Sequence, residues 1–254
     1  MLTNYTKRFS IKNYGGISWK WLSGFEQVVR NGSITYYAFD YNVPCIVIFN
    51  QYWIYQTYKI LPFNYTHTGK YIDGYFYLTS DRYFYKTDLN FTVLNFYQFA
   101  AANYKQLFYD SASSKFYAGP SGLKRIDIFN TSCSLLQSIN LISYNPYGLA
   151  FFNGFMYVGV VNSTQILVLQ NGGIINSISV NECTFALNQI VSINFDSYGY
   201  MAVSCAISNL VSLYDNNNKY TNYTITTSTL PYATAVDLIG RLIIITRFSL
   251  DIYY

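Results

Sequence analysis

A turn-and-strand unit recurs along this chain at a nearly constant interval, and that interval limits the available folds more than any other feature. The unit is a small or polar residue followed by an aromatic or β-branched run: GSITYYAF from Gly32, GYFYLTS from Gly74, SKFYAGP from Ser114, GFMYVGV from Gly154, GYMAVSC from Gly199 and GRLIIIT from Gly240. Successive starts lie 42, 40, 40, 45 and 41 residues apart. Unrelated hairpins do not keep such spacing, whereas a period of about 40–45 residues is what one propeller blade occupies.

The flanks repeat too. Short apolar segments end in Asp110, Asp196 and Asp237, and Asp73 and Asn153 stand directly before Gly74 and Gly154. An Asp side chain accepts a backbone N–H two residues on and glycine supplies positive φ, so each unit is predicted to open with a hairpin. A third apolar segment follows, such as CIVIF (45–49), QILVL (165–169) or LVSLY (210–214), and then a more polar fourth, such as FTVLNFY or IINSISV. Four strands per unit is the blade pattern, and six units predict a six-bladed β-propeller spanning residues 1–254 as one domain. The sixth unit lacks a fourth strand, since its third, LDIYY, reaches Tyr254. Residues 4–12, NYTKRFSIK, are expected to supply it, closing the ring and covering an otherwise open edge.

YNPYGLAFFNGFMYVGVVNSTQILVL (144–169) and NQIVSINFDSYGYMAVSCAISNLVSLY (188–214) resemble NHL repeats: an inner strand, Asp-x-x-Gly, a Tyr-Val-type strand, a polar loop with Asn and a branched-aromatic strand. The resemblance implies a six-bladed propeller. It implies no activity, because propellers host unrelated functions.

Composition agrees with an all-β chain. Charged residues are only 11%, while 29 Tyr and 19 Phe favour strands and a large buried core. The net charge of +4 is mild and the 16 Lys and Arg form no block, so neither nucleic acid nor a membrane surface is an expected partner. Apolar runs such as LIIIT (242–246) are strand-length, far short of the roughly 18 residues that suggest a membrane span. The first sixteen residues hold no apolar core of signal-peptide type.

Of the four cysteines, Cys183 and Cys205 fall on loops that propeller geometry places on one face, and a disulfide between them is expected; the alternative is four reduced core thiols. Cys45 and Cys133 map to opposite faces, beyond the roughly 4.4–6.8 Å Cα separation of a disulfide. Seven Asn-x-Ser/Thr sequons, at Asn4, Asn31, Asn64, Asn90, Asn130, Asn162 and Asn222, exceed the roughly four that 24 Asn and 42 Ser or Thr would give by chance. Most map to loops or outer strands, which favours an extracellular, N-glycosylated protein.

No catalytic constellation is evident. The single histidine, His67, is placed at the start of the second inner strand near the mouth of the central channel, either as a functional group or as a polar residue satisfied by a neighbouring carbonyl. One imidazole cannot build a zinc site of several, and the acids at 73, 110, 196 and 237 are committed to turns, which leaves few ligands for calcium. No cofactor is expected. The tyrosines have two readings: packing between blades, or exposed faces that stack on sugars or anchor a partner. The reading that follows is a non-enzymatic structural or interaction module, assembling with itself or with another extracellular protein or glycan. A calcium-dependent lactonase or lyase using the channel, and an intracellular NHL-type protein- or RNA-binding module, are the competing classes.

Overall fold

The computed structural model describes residues 7–14, 17–99, 103–183, 189–237 and 240–254. Among them there is no helix, and six four-stranded antiparallel sheets account for nearly all regular structure. Blade 1 comprises Leu22–Arg30, Ser33–Asp40, Cys45–Asn50 and Tyr55–Ile60, from the centre outward. Blade 2 comprises Thr66–Ile72, Tyr75–Ser80, Tyr83–Thr87 and Val93–Gln98. Blade 3 comprises Asn103–Asp110, Lys115–Ser121, Arg125–Phe129 and Leu135–Asn140. Blade 4 comprises Pro146–Phe152, Phe155–Val160, Gln165–Gln170 and Gly173–Ser179. Blade 5 comprises Ile190–Phe195, Met201–Cys205, Leu210–Tyr214 and Tyr220–Thr226. Pro231–Val236, Leu242–Thr246 and Leu250–Tyr253 form blade 6.

The sixth blade is completed by Lys7–Ile11, which pairs antiparallel with the last strand in the register Ser10 to Asp251 and Ile11 to Leu250. The ring therefore closes with the N-terminal strand, and the inner strand of blade 6 packs on that of blade 1. A small hairpin, Asn13–Tyr14 with Ile17–Ser18, leads from this strand into blade 1; the repeat gave no sign of it.

The turns follow the residues that make them. Asn31–Gly32, Asp73–Gly74 and Asn153–Gly154 all have two successive positive φ angles, the two-residue hairpin turn that matches strand twist. In blades 5 and 6 the turn is longer: Asp196 accepts N–H from Tyr198 and Tyr200, Asp237 accepts from Arg241, and Gly199 and Gly240 take the left-handed position. Asp110 accepts from the N–H of Ala112.

Each gap between adjacent blades holds its own core. Tyr36, Phe49 and Trp53 of blade 1 meet Ile243, Ile245 and Ile252 of blade 6, and Tyr77 and Phe84 of blade 2 meet Phe116 and Phe129 of blade 3. Blades 3 and 4 share an aliphatic core that includes Ile126, Leu149, Val158 and Leu167. Sheets that splay outward leave a widening wedge, and rings fill it: Tyr36 stacks on Trp53 at 4.0 Å and Tyr104 on Phe99 at 3.4 Å. Near the axis the blades approach closely, so glycine is required there; a Cβ on Gly159 would lie 2.5 Å from the carbonyl oxygen of Ile190.

Candidate functional site

Loops joining second to third strands and loops joining one blade to the next share what is here called the upper face. On that face every inner strand carries a register shift near its start. The extra residue is Ser23 in blade 1, His67 in blade 2, Tyr147 with Gly148 in blade 4 and Tyr232 in blade 6. A bulge re-aims the side chain of its extra residue, and here all four line one small cavity at the channel mouth, together with Trp21, Tyr41 and Gln106.

The mouth is a ring of tilted aromatics. Trp21 lies 5.4 Å from Tyr232 and 5.6 Å from Tyr41, centroid to centroid, and Tyr41 lies 5.1 Å from Tyr65 and 4.6 Å from the His67 imidazole. The Arg247 guanidinium sits over Trp21 at 4.3 Å. His67 is 5% exposed at the top of the second inner strand, and a carboxylate is among its partners. Its Nε2 lies 2.8 Å from Oδ1 of Asp81, which also accepts from the Tyr41 hydroxyl at 3.2 Å. Burial, with the Asp81 charge second, pushes the Tyr41 phenol far above its ordinary value, so it stays a donor. Sequence reasoning missed Asp81, which follows the second strand; the available signal was that this loop shares a face with the start of the inner strand.

Below the mouth the channel widens into a cavity of about 350 Å3 that Gln106 also borders. Its wall is polar: Glu26 is paired with Lys70 at 2.9 Å and accepts the Tyr71 N–H, and Thr68, Asn194 and Thr234 add hydroxyl and amide groups. Other buried charges are structural. Asp40 accepts four backbone N–H groups, from Lys20, Trp21, Asn42 and Val43, and Asp127 pairs with Arg125 two residues before it on the third strand of blade 3. Among the described residues no group of three or more His, Cys, Asp or Glu is arranged to hold a metal ion.

Cys183, on the loop leaving blade 4, and Cys205, at the end of the second strand of blade 5, form a disulfide with a Cα separation of 5.7 Å. Cys45 and Cys133 are buried and lie outside that bridge. Of the sequons, Asn31, Asn64, Asn90, Asn162 and Asn222 are exposed, Asn130 is half-buried with Oδ1 accepting from the Ser132 and Ser134 N–H groups, and Asn4 lies outside the described residues.

The rim is a second candidate surface, which the sequence pattern did not single out. In blades 1 to 5 the outer strand bulges beside its turn. The residue thrown outward is Leu94 in blade 2, Leu136 in blade 3 and Ile175 in blade 4, with exposures of 52%, 49% and 54%. These equivalent positions form an aliphatic belt over three consecutive blades, joined by exposed Phe96 and Ile174. In blade 5 the same bulge holds Thr221 and the sequon Asn222.

No protein-family model and no curated protein matches this chain.

Proposed function

We propose that this propeller, of NHL-repeat-like type, is an extracellular N-glycosylated interaction module without enzymatic activity, and that copies of it associate through the rim of blades 2 to 4. The observation that carries this is the aliphatic belt of Leu94, Leu136 and Ile175 on outer strands that contain no charged residue at all. Proteins ordinarily blunt such edges with Lys, Glu or Pro, and their absence over three neighbouring strands marks a surface meant to be covered. A second copy fits it because a chain of net charge +4 repels itself wherever its charged faces meet, whereas uncharged edges approach without that penalty. Sequons lie on both faces and on the outer strand of blade 5, and those at Asn90 and Asn130 stand in the turns beside the belt strands, so sugars there would border the belt. The disulfide is in keeping with an oxidising compartment.

Sedimentation or light scattering of the native protein tests this. The intact chain is expected to run as dimers or larger assemblies, and Leu136→Lys with Ile175→Lys to run as a monomer of unchanged thermal stability. A monomeric parent, or assemblies indifferent to both substitutions, overturns it.

A further inference from the structure

On the lower face, opposite the channel mouth, the turn between third and fourth strands sends a side chain into the gap beside the preceding blade. In blade 1 this is Trp53, stacked on Tyr36 at 4.0 Å in the gap to blade 6, and in blade 2 it is Phe91, 5.0 Å from Phe76 in the gap to blade 1. Cys133 of blade 3 takes the same place beside Phe116 in the gap to blade 2. All three are buried.

Blade 4 departs from this pattern twice. Gln170, the last residue of its third strand, pairs directly with Gly173 across the two-residue turn Asn171–Gly172, so the turn is one residue shorter and sends no side chain inward. The second-strand position that holds Tyr36, Phe76 and Phe116 in blades 1 to 3, opposite the end of the third strand, holds Met156. The gap between blades 3 and 4 accordingly stays open as a cavity of about 630 Å3, lined by buried Ile128, Met156 and Leu169 and by half-buried Phe108, Tyr117 and Phe151. Phe108 stacks on Phe151 at 4.5 Å, and Tyr117 lies 4.6 Å from Phe151.

Aliphatic and ring surface gives water few hydrogen bonds, so a molecule that replaces water there gains in proportion to the apolar area it covers. The sister gaps show the shape that fits between two such sheets: a flat ring, as the Trp53 indole is. The lining limits its charge. Among the described residues that line the cavity Asp110 alone is charged, its carboxylate held by the Ala112 N–H and the Ser113 hydroxyl in the turn at the edge. An anion meets that field with no described cation in the lining to offset it, while the amides of Gln137, Asn153 and Asn171 offer acceptors to a ring N–H. A cavity of about 630 Å3 is within the range of small-molecule sites, roughly 300–1,000 Å3.

We propose that the lower-face cavity between blades 3 and 4 binds a planar aromatic molecule of indole size that carries no negative charge, in the place that Trp53 and Phe91 fill in the gaps of blades 1 and 2. This site does not depend on assembly through the rim.

Indole is the probe, and the full chain is titrated with it to about 5 mM by calorimetry, with saturation and a Kd below about 1 mM expected. Indole-3-acetate, the same ring with a carboxylate, should bind about tenfold or more weakly. Met156→Trp, which places a ring in the cavity, should weaken indole binding about tenfold or more; should that variant not fold, Ile139→Trp fills the cavity from a half-buried position on the outer strand of blade 3. Leu136→Lys with Ile175→Lys should bind indole as the parent does, which separates failure of this site from failure of rim assembly. No saturable heat with indole, indole-3-acetate binding as tightly as indole, or undiminished binding in the filled variant overturns the proposal.

Discussion

The turn between third and fourth strands shows how single residues set the packing of a blade. Asn50, Asp88, Asn130 and Asp215 each accept backbone N–H groups two and four residues ahead, and the residue three ahead, Trp53, Phe91, Cys133 or Asn218, has positive φ. For Trp53 and Phe91 the left-handed backbone is offset by burial, worth about 1.5–3 kcal/mol for a large apolar side chain, and for Trp53 also by the Tyr36 stack. Beside that stack, Arg241 donates to Asp237 at 2.6 Å and to the Tyr36 hydroxyl, with both charged side chains almost wholly out of water. Arg241→Met is therefore expected to destabilise the fold by about 3–5 kcal/mol, because it strands a buried carboxylate, and a urea midpoint well below that of the parent would show it. Asp237 was legible as a turn residue from its place three before Gly240; its second role was not, since Tyr36 lies 201 positions away.

At the scale of strands and blades the repeat carries the architecture and the bulges carry the sites. Third strands were legible to within a residue because each is a compact apolar run bounded by turn residues, as with Leu210–Tyr214 and Gln165–Gln170. The bulges were not, because one extra residue in a strand leaves composition and spacing almost unchanged. The two surfaces they create, His67 with Tyr147 and Tyr232 at the mouth and Leu94 with Leu136 and Ile175 at the rim, thus became visible only through strand register. Blade spacing near the axis gives a separate test. Gly159→Ala forces a Cβ against the backbone of Ile190, which cannot yield as a side-chain tip would, and a loss of about 1–3 kcal/mol is expected from overpacking. The same substitution at Gly74 meets no neighbouring atom but takes on the strain of φ +90°, so a thermal melt of each variant separates crowding from backbone strain.

For the molecule as a whole, closure and tyrosine burial govern stability. The N-terminal strand Lys7–Ile11 covers the edge of blade 6, with Ser10 bonded to Asp251, and removes the one open end an array of six sheets would have. Tyr36, Tyr85 and Tyr253 are pushed up to about 12 from 10.0, chiefly by burial. The fold thus holds the neutral phenol. The stability each contributes is fully present below pH 10 and is lost as the pH rises from 10 toward 12, about 2–3 kcal/mol for fully buried Tyr36. Melting temperature should be level on the neutral side of pH 10 and fall steeply above it, with phenolate absorbance rising together with unfolding. A smooth phenolate titration centred on pH 10 with no loss of structure would contradict this.

Compartment and sugar coat underlie the functional reading, and the intact mass of natively produced protein, before and after treatment with an N-glycosidase and then with reductant, tests both at once. A mass above that of the 29.3 kDa chain is expected, falling in glycan-sized steps on deglycosylation and gaining two hydrogens when the Cys183–Cys205 bridge is reduced. A bare chain with four reduced thiols would contradict it.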